Sequence, residues 1–333
     1  MNNGQRDIRY DIIRVVAILF VVCIHSFHAL FDGVKNDGLV AGVDVCISTA
    51  VPLFVMLSGA LLLGRREPIS AVYRHRLPRI LLPFLFWSVI VYGAFYFIHH
   101  QGFTLQALAQ CLKGYCHDLV KLDLHQIYWF VYMMAGLYLL LPLLRIVVQS
   151  GRQAFHYLLL LVTCGLVLGK CFPQSAFVAL WDNQYFTWVF LFLSGYKAVT
   201  WQSASGKAFG LISTLSFVAL FALSYWLRVR GVGGGLCDLV NMAYYVSAFC
   251  FLLAILPSRS GSRAVTGAVT SLSRMSYGIY LCHILFVSLY LRLLSGVMMP
   301  GWLMFVCVVA LAMASSVVVL TALAKIGLGK LVQ

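Results

Sequence analysis

Charge is what this chain has least of. Only 10% of its 333 residues are Asp, Glu, Lys or Arg, against 62% hydrophobic, and the mean hydropathy is +0.92. That balance excludes a soluble globular domain and leaves a polytopic membrane protein. Acids are the scarcer sign, 10 against 24 Lys and Arg, for a formal net charge of +14. In a soluble protein such an excess would suggest nucleic acid. Here basic cytoplasmic loops beside anionic headgroups account for it, so the expected partners include membrane lipids and no nucleic acid. The 10 cysteines show no CxxC or Cys/His spacing, so no metal site is expected. Most lie in apolar runs as small hydrophobes, and Cys111 with Cys116 is a candidate disulfide in an outer loop. The glycine-rich stretch 231–235 lacks the Gly-Lys-Ser/Thr ending and preceding strand of a phosphate loop and reads as a connector. No solenoid repeat, low-complexity tail or separate soluble segment is visible, so one transmembrane domain over 1–333 is expected. The first thirty residues carry too long an apolar run, and no small-residue cleavage site, for a signal peptide.

What is present is a series of apolar runs near 11–31, 43–63, 79–98, 127–148, 155–172, 185–200, 208–227, 239–256, 277–295 and 301–324. The expectation is an all-α membrane protein of about ten transmembrane helices. Pro173, Trp181 and Asp182 separate the two shortest runs. Placing both termini in the cytoplasm puts 16 Lys and Arg inside, Arg6, Arg145 and Lys330 among them, and 7 outside, including Lys35 and Lys113, with Arg14 left out. Two connections are long. Residues 99–126, outside, hold His99, His100, His117, Asp118, Asp123 and His125; residues 64–78, inside, are dense in arginine.

The polar groups inside the spans carry the functional signal, because a charge there costs about 2.5–3.5 kcal/mol on insertion scales. In the first span, Arg14 and His25 are eleven positions apart, nearly on one helix face and roughly 16 Å apart along the axis. Asp11, three residues before Arg14, can sit against the guanidinium. His25 is the leading candidate for a base, since burial keeps an imidazole neutral and able to accept a proton. His28, one turn on, belongs at the outer interface. In the second span Ser58-Gly59 suits either close helix packing or the lining of a substrate tunnel, and Pro52 would kink the helix. The arginine segment holds Arg65, Arg66, Arg74, Arg76 and Arg79, whose planar forks suit phosphate groups. His283, in the ninth run, fits packing or chemistry equally, and Trp129 is an interface anchor.

Taken in order, these segments resemble the acyltransferase-3 family of membrane acyltransferases. The resemblance rests on Arg14 and His25, on Phe54 through Ser58-Gly59, and on the arginine segment leading to Pro83. It rests also on Tyr128-Trp129-Phe130 through Leu137-Tyr138-Leu139 to Pro142, and on Ser276-Tyr277-Gly278-Ile279-Tyr280-Leu281 with His283. It implies a membrane O-acetyltransferase in a bacterial inner membrane, moving an acetyl group from cytoplasmic acetyl-coenzyme A to a hydroxyl of a cell-surface or lipid-linked glycan. Arg14 and His25 match the family's functional pair, with Asp11 beside them. Arg74, Arg76 and Arg79 match its coenzyme-A contact, and Ser58 is a further donor-side candidate. Two departures stand out: Ala60 where the family usually has an aromatic, and no fused hydrolase-like domain at the C-terminal end. The residues alone leave two rival classes. One is a transporter or flippase with an intramembrane Arg/His pathway; the other is a structural or sensory protein whose polar face only packs helices.

Overall fold

The computed structural model describes residues 7–34, 37–99, 104–172, 184–259 and 262–329. Arg6, Lys35, His100, Pro173, Trp181, Asp182 and Lys330 lie outside the described residues. In chain order the helices are α1 (Ile8–Phe31), α2 (Gly38–Ile47), α3 (Ala50–Leu62), α4 (Ile69–Ala71), a π-helical turn (Val72–Arg76) and α5 (Leu77–His99). Then come α6 (Leu105–Lys121), a 3₁₀ turn (Gln126–Tyr128), α7 (Trp129–Gln149), α8 (Arg152–Cys171) and α9 (Gln184–Val229). Last are α10 (Gly235–Ile255), α11 (Arg263–Leu294), α12 (Gly301–Leu323) and a π turn (Ala324–Leu328). No strand occurs among the described residues. The protein is an all-α, multi-pass membrane protein with nine candidate spans among those residues.

The ninefold count meets the expected ten at α9. Its 46 residues would reach about 69 Å as one rod, more than twice a hydrocarbon core. It is not one rod. Gly206 adopts φ 45°, ψ −109°, and the rings of Trp201 and Phe209 meet at 5.1 Å. Eight residues of straight helix would hold them roughly 12 Å apart along the axis. The chain therefore folds back sharply at Gly206, in the left-handed region where glycine carries no steric penalty.

Three further boundaries differ from expectation, each for a local reason. The run 43–63 is two helices, α2 and α3. Pro52 has no N–H for the Ser48 carbonyl, and at the same break the hydroxyls of Ser48 and Thr49 donate to the carbonyls of Val45 and Cys46, both at 2.7 Å. The arginine segment 64–78 is helical from Ile69 onward. Pro78 cannot donate to the Arg74 carbonyl, and the ladder just ahead of it widens to the π spacing. The long connection 99–126 contains α6, an amphipathic helix with Cys111 and Tyr115 buried and Leu105 exposed. Cys111 and Cys116 are free thiols, one buried and one exposed, because a five-residue separation turns them to different faces of α6.

The chain clusters into two compact units. The first comprises 1–67 and 140–273. In it α3 and α9 touch backbone to backbone. A Cβ on Gly59 would lie 1.8 Å from the Phe192 carbonyl oxygen, and one on Gly195 would lie 1.9 Å from that of Met56. Reciprocal glycines let two membrane helices approach closely, so Gly59 answers the packing reading of its motif. Arg9 and Gln202 donate to the Leu253 carbonyl at 3.3 and 2.7 Å, satisfying a terminal acceptor of α10.

The second unit comprises 68–139 and 274–333. Tyrosines of α11 lock it internally. Tyr277 donates to the Ile80 carbonyl at 2.8 Å, Tyr280 donates to that of Ile127, and Tyr128 donates back to Leu281 at 3.3 Å. Each buries an aromatic ring and still places its hydroxyl on a partner. Helix α6 docks on α5 through Ser88 to Tyr115 at 3.0 Å and Tyr92 to Asp118 at 3.0 Å. Asp118 also accepts from His117, and that bond first among its contacts holds its carboxyl below the ordinary value.

Candidate functional site

Helix α1 begins at Asp7, whose carboxylate accepts from the Arg9 backbone N–H at 3.1 Å and caps the first turn. From there the polar face predicted from the sequence is built. Asp11 is almost wholly buried, 3% exposed, deep enough to demand a donor. Ser273 of α11, equally buried, donates to its Oδ1 at 2.7 Å. Arg14 Nη1 donates to the same serine oxygen at 3.3 Å. Asp11 and Arg14 are therefore joined through a neighbouring helix as well as through their spacing on α1. One hydroxyl serves as acceptor and donor at once, which fixes the rotamers of both charged groups.

His25 lies on the same helix, eleven residues beyond Arg14, and is half-buried rather than sealed. Partial access suits a group that must meet a substrate. His28 is exposed, and its Nε2 donates to Asp44 at 3.3 Å; Arg228 Nε donates to the other oxygen of Asp44 at 3.1 Å. A cleft of about 490 Å³ opens there, lined by Phe27, Phe31, Asp32, Asp37, Asp44 and Arg228 among others. It mixes carboxylates with two aromatic faces.

The donor-side candidates divide. Ser58 donates to the Phe54 carbonyl one turn back at 2.8 Å, so its proton is committed and its lone pairs remain. Arg74 and Arg79 are exposed and Arg76 is partly buried, on the π turn and the start of α5 in the second unit, whereas Asp11, Arg14, His25 and Ser58 belong to the first. Arg65 pairs with Glu67 at 3.7 Å.

Three groups escaped the sequence reading. Ser273 carried no signal beyond a hydroxyl near the start of an apolar run. Arg145, read as a topology residue, is 4% exposed; it donates to the Leu62 carbonyl at 3.0 Å and pairs with Glu67 at 3.5 Å. It caps α3 with a charge. Asp44 gave no motif, yet it gathers His28 and Arg228. His283 is fully buried and its Nδ1 donates to the carbonyls of Ile279 and Tyr280 at 3.2 and 2.7 Å. No group of three His, Cys, Asp or Glu able to hold a metal ion occurs among the described residues.

Compared with known families, the chain matches the acyltransferase-3 family, described as an acyltransferase domain, over residues 7–321. The chain belongs to that family. The match begins at the N-cap of α1 and runs through α12, so Asp11, Arg14, His25, Ser58, the three arginines and Ser273 all fall inside it. No curated protein and no solved structure matches. Membership of the acyltransferase-3 family establishes a membrane acyltransferase.

Proposed function

We propose that this acyltransferase is an O-acetyltransferase of a bacterial inner membrane, taking acetyl from acetyl-coenzyme A and placing it on a hydroxyl of a cell-surface or lipid-linked glycan. On this reading residues 1–333 act as a single transmembrane enzyme domain. The observation that supports it most is the face of α1. Ser273 fixes Asp11 and Arg14, and His25 shares their helix face while remaining accessible.

The chemistry assigned to these residues balances. His25 takes the proton of the attacking hydroxyl, the new carbon–oxygen bond forms at the acetyl carbonyl, and the carbon–sulfur bond breaks. The departing thiolate then recovers the proton from the imidazolium. In the alternative route His25 is the nucleophile: a carbon–nitrogen bond forms as the carbon–sulfur bond breaks and the thiolate takes the imidazole proton, and the hydroxyl then attacks, forming the carbon–oxygen bond, breaking the carbon–nitrogen bond and returning its proton to the imidazole. Arg14 and Asp11, held in place by Ser273, are proposed to fix the polar surroundings of that face rather than to touch the reacting carbonyl. Arg74, Arg76 and Arg79 are the proposed grips on the donor's phosphates, where a guanidinium fork meets a phosphate bidentately. Ser58 is proposed to line the donor's path, offering its lone pairs. The cleft around Asp32, Asp37 and Asp44 supports the glycan half of the reading. Carboxylates accept from sugar hydroxyls, and Phe27 and Phe31 offer flat apolar faces.

Incubating the purified protein in nanodiscs with acetyl-labelled donor and a panel of undecaprenyl-linked oligosaccharides tests this. Label should appear as an ester on the glycan, released by mild base. Donor left intact with every acceptor, in protein shown to be folded, would contradict the proposal.

A further inference from the structure

A second cleft in the first unit carries charge that no part of the proposed reaction uses. It measures about 450 Å³ and lies against the first two turns of α8 and the segment 196–205 of α9. The charge bias assigns that end to the cytoplasm. Arg152, His156 and Lys197 line it together with the rings of Phe155, Tyr196 and Trp201. No carboxylate is among its lining residues. Lys197 Nζ donates to His156 Nε2 at 2.8 Å, so the ammonium spends a donor on a neutral imidazole and, among the described residues, none on an acid. Several other basic groups of this unit have acids. Arg9 has Asp7, Arg145 has Glu67, Lys170 has Asp238 and Arg228 has Asp44. The chain has only 10 acids to distribute, and this cleft received none.

Two cations in a concave, half-apolar site repel each other until an anion enters. A bare anion would leave the rings unused. Phe155 and Tyr196 meet edge to face at 5.3 Å, and Trp201 packs on Phe209 at 5.1 Å, so the aromatic wall is braced rather than loose. Gly151, the residue before α8, contributes no side-chain cap, so the first-turn N–H groups near Arg152 add to the positive field.

We infer that this cleft binds a phosphate ester bearing a flat or acyl appendage, with the phosphate between Arg152 and Lys197 and the appendage against Phe155, Tyr196 and Trp201. The inference stands apart from the acetyl-transfer reading, since none of these residues takes part in it. A phosphorylated nucleotide from solution and an anionic phospholipid headgroup share the chemistry, and two probes tell them apart.

The experiment uses the full chain carrying Arg76→Gln and Arg79→Gln, so that binding at those arginines does not mask the cleft. In phosphatidylcholine nanodiscs, adenosine 3′,5′-bisphosphate is titrated by calorimetry. In detergent, retained phosphatidylglycerol is counted by native mass spectrometry. One probe should bind, and Arg152→Gln with Lys197→Gln should weaken it tenfold or more. Thr200→Glu, on an exposed lining position, should do the same by supplying the missing acid while both cations stay. Loss of nucleotide binding identifies a soluble ligand; loss of the lipid identifies a headgroup. Binding of neither probe, or binding unchanged in both sets of variants, overturns the inference.

Discussion

Replacing Ser273 with alanine removes one oxygen, yet the structure assigns that oxygen two partners. It donates to Asp11 at 2.7 Å and accepts from Arg14 at 3.3 Å, with Asp11 3% and Ser273 1% exposed. A hydrogen bond to a charged group is worth about 1.5–3 kcal/mol, whereas interhelical hydrogen bonds in membrane bundles average about 0.6 and reach about 1.7. The short bond to a buried carboxylate belongs where those ranges overlap, so Ser273→Ala should destabilise by about 1.5 kcal/mol. Most of that belongs to Asp11, because the Arg14 bond is the longer. Steric trapping or a denaturant titration in bicelles measures it. In an Asp11→Ala background the same substitution should cost about 0.5 kcal/mol, leaving a coupling near 1 kcal/mol. Turnover should fall several-fold, since a loosened Arg14 loses part of its alignment and each 1.4 kcal/mol is tenfold in rate. Strictly additive effects, with coupling under about 0.3 kcal/mol, would refute the bridge through Ser273.

Gly59→Ala should lower stability by about 3 kcal/mol, because the new Cβ meets backbone 1.8 Å away and α3 must part from α9; Gly93→Ala, with nothing within 4 Å, serves as a neutral control in the same thermal-unfolding assay. Arg76→Lys and Arg79→Lys keep the charge that sets topology but lose the bidentate fork, so the donor KM should rise about tenfold while membrane insertion stays normal; an unchanged KM leaves these arginines as topology signals. Burial holds the His125 imidazole below its ordinary value, and its Nδ1 accepts the Ile127 N–H at 3.3 Å. The unfolded chain therefore takes the proton first as pH drops. Stability should be full above about 6.5 and decline below it until the folded imidazole also charges, a slope that His125→Asn, which caps the same turn without titrating, should abolish.

Much of the fold was legible because hydropathy reports membrane helices directly. Composition alone indicated the class, and the ten apolar runs map onto the spans once the reversal at Gly206 is recognised. What was hidden is local hydrogen-bond economy. The apolar run 43–63 showed no sign that Ser48 and Thr49 would break it, although Pro52 pointed to the carbonyl that needed relief. Helix α6 was missed because its apolar face is too sparse for a span and its polar face resembles a loop. On α1, spacing alone was enough to place Asp11, Arg14 and His25 on one helix face. Ser273 lies 262 residues from Asp11, and no periodicity links residues on different helices. Arg145 was read as topology for the same reason: its partners, Leu62 and Glu67, belong to another helix end and its connection.

The most direct test of the account is transfer of acetyl from acetyl-coenzyme A by His25→Ala, measured beside wild type in the same nanodiscs. His25 is half-buried, so the variant should insert like wild type, and its unfolding is measured beside its turnover. Loss of a general base typically costs about 10²–10⁴-fold, and turnover should fall within that range. Turnover within a few fold of wild type, in protein of unchanged stability, would contradict the assignment of His25 as the base.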